Sequence, residues 1–114
     1  MINYFGADEI YYIGKNIKII RHEAFENCFL LKEINIPDSV VKIEDYAFAD
    51  CAGLQKVNIP SSVTSIGTGV FEGCLSLQTI SLPNSIKDIG SYAFAGCTSL
   101  TGITMPDSIQ DIKF

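Results

Sequence analysis

The chain has few basic residues and no long apolar stretch. Eight Lys and Arg stand against 13 Asp and Glu, for a formal net charge of −5. A nucleic-acid backbone needs a basic stripe on its partner, and an anionic membrane surface attracts basic segments, so neither is expected to bind here. No apolar run approaches the ~18 residues that span a bilayer. The first nine residues lack the basic and apolar regions of a signal peptide, so we expect an intracellular chain or a mature or excised part of a longer one.

Residue types that carry catalysis or metal binding are scarce as well. His22 is the only histidine, and no Ser, Cys or Asp stands near it at a spacing typical of a catalytic group. The sequence has no CxxC pair for zinc, no Gly-rich phosphate loop, no carboxylate pair at ligand spacing and no N-glycosylation sequon. We therefore expect no enzymatic activity and no metal or other cofactor.

What the chain does have is a repeat of 23 residues. Four residue types recur at this spacing, as Leu31, Leu54, Leu77 and Leu100, as Phe25, Phe48, Phe71 and Phe94, as Cys28, Cys51, Cys74 and Cys97, and as Pro37, Pro60, Pro83 and Pro106. A fixed period in this range is typical of a solenoid, in which each repeat packs only against its neighbours. The period predicts a single domain over 1–114, made of a cap-like entry (1–7), four repeats (8–30, 31–53, 54–76, 77–99) and a partial repeat (100–114).

Each repeat predicts a short strand followed by a turn. Apolar residues two apart, such as Ile34 and Ile36, have the strand period, and the following proline ends the strand because it has no N–H to donate. The second half of a repeat, such as Tyr46–Cys51, permits a helix of one or two turns, so we expect a 3₁₀ or short α turn there. The strands are predicted near 10–13, 33–36, 56–59, 79–82 and 102–105.

The recurring serines and cysteines both have structural interpretations. We expect the hydroxyls of Ser39, Ser62, Ser85 and Ser108 to bind backbone groups at the turn that leaves each strand. The four cysteines would lie in a column whose rungs are about 4.8 Å apart, near the distance window of a disulfide. Their parallel directions favour free, buried thiols that fill the core.

One stretch of the repeat points to a known family. The residues Ile59-Pro60-Ser61-Ser62-Val63, with Ile66, Val70-Phe71, Cys74 and Leu77, resemble the BspA-type leucine-rich-repeat family, and the match covers roughly 13–112. The resemblance implies a module of surface proteins, often adhesins that bind host proteins or other cells. We expect a leucine-rich-repeat solenoid with a right-handed superhelix, a parallel sheet on its concave face and short 3₁₀ or α turns on its convex face.

The outward side chains of the strands form the candidate binding surface, because solenoids usually bind on the concave face. Tyr12 is the sharpest candidate anchor, since exposed aromatic residues favour interfaces. The alternatives are that these are ordinary soluble strand residues, that the chain is a structural spacer or fragment with no ligand, or that it binds carbohydrate or peptidoglycan. The predicted protein-binding residues are Tyr12, Glu33, Asn35, Lys56, Asn58, Thr79 and Ser81.

The C-terminal end carries a second prediction. The chain stops before the Phe and Cys positions of the partial repeat, so its apolar residues would line an uncovered end of the core. Such an end could pair with a second copy, and a two-fold contact would close into a homodimer. The residues concerned are Leu100, Ile103, Met105, Ile109 and Ile112.

Overall fold

The computed structural model describes residues 10–104, which form stacked coils of one repeat each. Each coil contributes one strand of three residues and, where it is complete, one strand of two residues. In chain order these strands are β1 (Ile10–Tyr12), β2 (Ile19–Ile20), β3 (Glu33–Asn35), β4 (Lys42–Ile43), β5 (Lys56–Asn58), β6 (Ser65–Ile66), β7 (Thr79–Ser81), β8 (Asp88–Ile89) and β9 (Gly102–Thr104). The predicted parallel-strand solenoid is confirmed.

The longer strands form the front of the solenoid and match the predicted ranges to within one residue. The middle residue of a front strand points into the core, as Ile34 does in β3 and Ile80 in β7, and its two neighbours point outward. Pairing is parallel, one repeat apart, so that Ile34 lies opposite Val57. We call the outward side chains of β1, β3, β5, β7 and β9 the front face.

The shorter strands form a second parallel sheet, in the order β2-β4-β6-β8, which we call the back wall. In this sheet Ile43 pairs with Ile66, and Ile66 pairs with Ile89. The sequence analysis did not predict the back wall, because one buried isoleucine per repeat is too little to show the alternation of a strand.

The predicted helical turns are absent from residues 10–104, and hydrogen-bonded turns stand in their place. These turns, which we call the turn wall, cover 22–27, 45–50, 68–73 and 91–96. Tyr46 and Asp50 have positive φ angles of 57° and 59°, which a right-handed helix does not admit. The handedness of the superhelix stays a prediction.

Backbone hydrogen bonds in the turn wall alternate between two directions. The N–H of Ala47 bonds within its own coil, to Glu44, whereas the N–H of Phe48 reaches the carbonyl of Val70 in the next coil at 3.0 Å. The same alternation occurs in the first three turns, and each bond between coils runs from the N–H of one coil to the carbonyl of the coil that follows. The bonds between coils take the place of a helix's internal ladder, which is why the turns do not become helical.

The core is a column of identical residues from successive coils. The rings of Phe25, Phe48, Phe71 and Phe94 stack with centroids 5.1, 5.6 and 5.8 Å apart and planes inclined by 10° or less. Near-parallel rings at this separation are offset, an arrangement that aromatic pairs favour. The leucine column of Leu31, Leu54 and Leu77 is fully buried beside them.

The cysteines are free thiols, as predicted, and they also act as hydrogen-bond donors. Cys51 Sγ lies 3.0 Å from the carbonyl oxygen of Phe25, and Cys74 Sγ lies 3.2 Å from that of Phe48. Cys97 repeats the contact with Phe71 at 3.1 Å but is only half-buried. These three thiols therefore join their coils to the preceding ones in addition to filling space.

The predicted serine column is confirmed at two positions and fails at one. Ser39 Oγ donates to the carbonyl oxygen of Ile17 at 2.6 Å, and Ser85 Oγ donates to that of Val63 at 2.7 Å. The hydroxyl of Ser62 is buried but has no hydrogen-bond partner within the described part of the chain. Ser108 lies outside the described residues.

Candidate functional site

The front face places the predicted binding residues side by side on neighbouring strands. Tyr12 is 70% exposed, and Glu33 is half-buried. The others, Asn35, Lys56, Asn58, Thr79 and Ser81, are all exposed. The outward direction that strand alternation predicted for these residues is thus confirmed. Their role in binding stays a prediction.

Strand register sorts the front face into two rows. One row brings Tyr12 beside Asn35 and Asn35 beside Asn58, and the other brings Ile10 beside Glu33 and Glu33 beside Lys56. The register places the opposite charges of Glu33 and Lys56 on directly paired positions, and both remain accessible. The first three coils therefore present an aromatic ring, two carboxamides and two opposite charges on three adjacent strands, which are about 4.8 Å apart.

The front sheet is divided between the third and fourth coils. β1, β3 and β5 form one hydrogen-bonded ladder and β7 and β9 form another, although β5 and β7 contact each other. The N–H of Gln55 donates to Lys32 at 2.8 Å and that of Thr101 donates to Gln78 at 2.9 Å, but the equivalent N–H of Gln78 has no backbone acceptor among residues 10–104. Thr79 and Ser81 thus belong to a different ladder from the other predicted site residues.

A groove of about 510 Å³ opens at the carboxyl ends of β3 and β5. Asn35 and Asn58 line it from the front strands, and Lys15 and Asp38 line it from the turns that leave those strands. The sequence analysis missed these two turn residues as site residues. The available signal was their spacing, because Lys15 and Asp38 are one repeat apart and must lie on adjacent coils.

His22 is not part of a catalytic arrangement in the described residues. It is exposed and its Nδ1 lies 3.7 Å from Glu44 Oε1, while Lys42 Nζ approaches the other oxygen of Glu44 at 3.9 Å. These are long contacts of a surface ion pair, which contributes little to stability. Residues 10–104 contain no group of three His, Cys, Asp or Glu side chains that could hold a metal ion.

The buried thiols are poor nucleophiles. Burial raises the pKa of Cys51 from 9.0 to about 12, and it raises the pKa of Cys74 further still. A thiol is reactive as its thiolate, so cysteines in this environment are inert near neutral pH. The cysteine column is consequently structural rather than catalytic.

The C-terminal end of the described chain exposes part of the core. A cavity of about 330 Å³ is lined there by Phe94, Cys97, Leu100 and Ile103, among others. Leu100 and Ile103 are half-buried, in agreement with their predicted place at this end. Met105, Ile109 and Ile112, the other members of the predicted contact, lie outside the described residues.

Both the repeat pattern and the stacked coils agree with one family model. The model for the BspA type leucine rich repeat region matches residues 10–114, with six copies. The chain belongs to this family. No curated protein sequence matches the chain.

Solved structures of three other proteins share the fold. A leucine-rich cell surface protein from Faecalibacterium prausnitzii has 29% identity and a TM-score of 0.77 over 91% of this chain. The pneumococcal vaccine antigen PcpA has 26% identity and a TM-score of 0.84 over 97% of it. A leucine-rich repeat protein from Bacteroides ovatus has 30% identity and a TM-score of 0.68 over 87% of it.

The chain spans about a third of each of these three proteins, at 34%, 32% and 34% of their lengths. The protein from Faecalibacterium prausnitzii is a cell surface protein, and PcpA is a vaccine antigen. Within residues 10–104 of this chain, no helix has the length and apolar character needed to cross a membrane.

Proposed function

We propose that the chain is a non-enzymatic protein-interaction module, adhesin-like in character, which binds a protein partner through the front face. The observation that carries this proposal is a contrast between two sets of positions in the repeat. The buried positions keep the same residue from coil to coil, as the phenylalanine column does, whereas the outward positions of the front strands change at almost every coil. Stability explains the first set, and recognition of a particular partner would account for the second.

The first three coils offer the features of an interaction site. Tyr12 supplies a large aromatic surface that loses little side-chain entropy on binding, which is why tyrosine is common among interface anchors. Glu33 and Lys56 supply one charge of each sign on adjacent strands. Such a pair discriminates between partners by charge complementarity more than it adds raw affinity.

A cell-surface or secreted location follows from the same proposal. Two structural neighbours of this chain are described as a cell surface protein and a vaccine antigen. We extend that location to the present chain, with a front face that is concave in a right-handed superhelix. Its partner would be a protein rather than a nucleic acid, because the chain carries a net charge of −5.

A charge exchange on the front face tests the proposal. The purified chain is presented to a panel of extracellular-matrix and serum proteins at about 10 μM, and binding is measured by biolayer interferometry. The variant Glu33→Lys/Lys56→Glu combined with Tyr12→Ala should lose binding at least about tenfold while its circular dichroism stays unchanged. The matched control Lys87→Glu/Asp88→Lys exchanges two exposed charges at the back wall and should bind like the native chain.

The second candidate is a structural spacer or a fragment of a longer surface-protein array, with no ligand of its own. The observation that favours it is that the chain spans only about a third of its solved structural neighbours. If the native chain binds no panel member, or if the front-face and back-wall variants lose binding equally, the front-face proposal fails and the spacer is preferred.

A further inference from the structure

The groove at the carboxyl ends of β3 and β5 has a chemistry different from the rest of the front face. Its volume of about 510 Å³ lies in the range of small-ligand sites, roughly 300–1,000 Å³. Ile36 and Pro37 belong to its lining together with polar side chains. Apolar residues combined with a few polar groups are the usual composition of a binding pocket.

The polar groups on the strand side are two free carboxamides. Asn35 and Asn58 are directly paired on adjacent strands, so their side chains stand about 4.8 Å apart on the same face. Both are exposed, and neither side chain hydrogen-bonds to another described residue. Each carboxamide offers two donors and one acceptor with two lone pairs. Neighbouring hydroxyl groups, each of which both donates and accepts, would satisfy such a pair.

The charges of the groove favour a ligand without net charge as its main occupant. Lys15 contributes one positive charge and Asp38 contributes one negative charge, so the lining is neutral overall. A phosphate, a polyanion or a basic peptide would meet repulsion from one of the two. A neutral ligand rich in hydroxyls meets no repulsion from either charge. Its hydroxyl groups can accept a hydrogen bond from the Lys15 ammonium and donate one to the Asp38 carboxylate.

An exposed aromatic ring lies next to a groove residue on the first coil. Tyr12 pairs directly with Asn35, so Tyr12, Asn35 and Asn58 form one row across three coils. The faces of aromatic rings are apolar and electron-rich, and they pack well against C–H groups. A sugar ring combines an apolar C–H face with a rim of hydroxyls, which is the complement of a ring beside carboxamides.

We propose that this groove binds a neutral, unbranched oligosaccharide, with one sugar stacked on Tyr12 and the hydroxyls of the following sugars bound by Asn35 and Asn58. The coil spacing of about 4.8 Å is comparable to the length of one sugar in an extended β-linked chain, so successive coils meet successive sugars. This inference does not rest on the proposed protein-interaction function. Tyr12 enters the tests of both, whereas the charge exchange at Glu33 and Lys56 belongs to the protein test alone and Asn35→Ala/Asn58→Ala belongs to the groove test alone.

A nuclear magnetic resonance titration tests the inference directly. The isotope-labelled chain is titrated with tri-N-acetylchitotriose and, separately, with cellotriose, each to about 10 mM. The side-chain NH₂ signals of Asn35 and Asn58 should shift with at least one of the sugars. The signals of Asn84, an exposed asparagine in the fourth coil and outside the groove, should not move.

Variants separate the groove from the remainder of the surface. The change Asn35→Ala/Asn58→Ala and the change Tyr12→Ala should each weaken binding at least about tenfold, whereas Asn84→Ala should leave it unchanged. Because these side chains are exposed, the dispersed amide spectrum should persist in every variant.

Three results would overturn the inference. The first is the absence of shifts with both sugars at the highest concentration. The second is binding that survives Asn35→Ala/Asn58→Ala, which would place the sugar elsewhere. The third is a neutral Gly/Ser peptide that shifts the same NH₂ signals when neither sugar does, which would assign the groove to polypeptide.

Discussion

The thiol of Cys51 donates a hydrogen bond of 3.0 Å to the carbonyl oxygen of Phe25, one coil earlier in the solenoid. The same oxygen also accepts from the N–H of Cys28 at 3.2 Å. A buried carbonyl has two lone pairs, so both bonds can form together. Three successive cysteines make this contact. The cysteine that recurs in each repeat therefore has a polar role as well as a packing role.

The first prediction is a loss of stability at alkaline pH that depends on these thiols. Burial raises the pKa of Cys51 from 9.0 to about 12, so the folded state holds the proton more tightly than the unfolded state. The contribution of this group is therefore complete below pH 9 and is lost as the pH rises towards 12. Urea unfolding measured at several pH values should show this decline.

The control for the thiol prediction is Cys51→Ala/Cys74→Ala. Tyrosine and lysine side chains also ionise at alkaline pH, so the difference between the two chains is what matters. The variant should be less stable at neutral pH but should decline less steeply above pH 9. Parallel curves for the two chains would contradict the prediction.

The second prediction concerns the only serine of the described column without a partner. Ser39→Ala removes a 2.6 Å hydrogen bond to Ile17 and should lower the free energy of unfolding by about 0.5–1.5 kcal/mol. Ser62→Ala removes a buried hydroxyl that has no partner and should be neutral or stabilising. Thermal unfolding of the two variants measures the difference, and an equal loss would show that Ser62 is bonded in solution.

The third prediction concerns the contact between Tyr46 and Gly69. Gly69 has a φ of 61°, and a Cβ built on it would lie 2.4 Å from the ring of Tyr46. Gly69→Ala should therefore lower the free energy of unfolding for two reasons. A left-handed backbone conformation costs an alanine roughly 1–2 kcal/mol, and the added methyl group clashes with the ring. Chemical unfolding of the variant measures the total.

Gly96 is the matched control for Gly69. Its φ is 73°, but its nearest atoms would lie 3.5 Å from an added Cβ, so Gly96→Ala incurs the strain without the clash. Gly69→Ala should cost more than Gly96→Ala in the native chain and about the same in a Tyr46→Ala background. Equal costs in both backgrounds would show that the tyrosine ring moves aside freely.

The fourth prediction follows from the divided front sheet. The amide of Gln78 should exchange with solvent deuterium at least about tenfold faster than the equivalent amides of Gln55 and Thr101, which are hydrogen-bonded to the preceding coil. Hydrogen exchange followed by nuclear magnetic resonance measures all three. Similar protection at the three positions would mean that the front ladder is continuous in solution.

The fifth prediction is self-association through the C-terminal end. Ile103, half-buried beside the 330 Å³ cavity, would contact a second copy there. Sedimentation velocity of the native chain should show dimer that increases with concentration, and Ile103→Glu should abolish it. Scattering from monomer alone at high concentration would exclude this contact, and Tyr92→Ala, an exposed change on the turn wall, serves as the control.

The fold could be predicted from the sequence wherever a residue type recurs. The columns of Phe48 and Leu54 defined the core, and the isoleucine alternation located the front strands to within one residue. The turn wall could not be predicted in the same way. Its conformation depends on hydrogen bonds to the next coil, such as Phe48 to Val70, which a local helix propensity does not contain.

The candidate site also has one part that could be predicted from the sequence and one part that could not. The outward direction of Asn35 and Asn58 follows from strand alternation, so it was predictable. The groove also needs Lys15 and Asp38 in its lining, and their place there depends on the path of the chain after each front strand. The break between β5 and β7 was not predictable either, because both coils fit the same repeat pattern.

The contact of Tyr46 with Gly69 limits how an array of this kind can lengthen. On the turn wall the tyrosine position reads Glu23, Tyr46, Gly69 and Tyr92, and three residues further on it reads Glu26, Ala49, Glu72 and Ala95. A gene duplication that copied the second coil alone would set one tyrosine ring against another where the glycine now gives room. Duplication of the second and third coils together would place a glycine beside each copy of the tyrosine, so the fit on the turn wall is kept when coils are added in pairs.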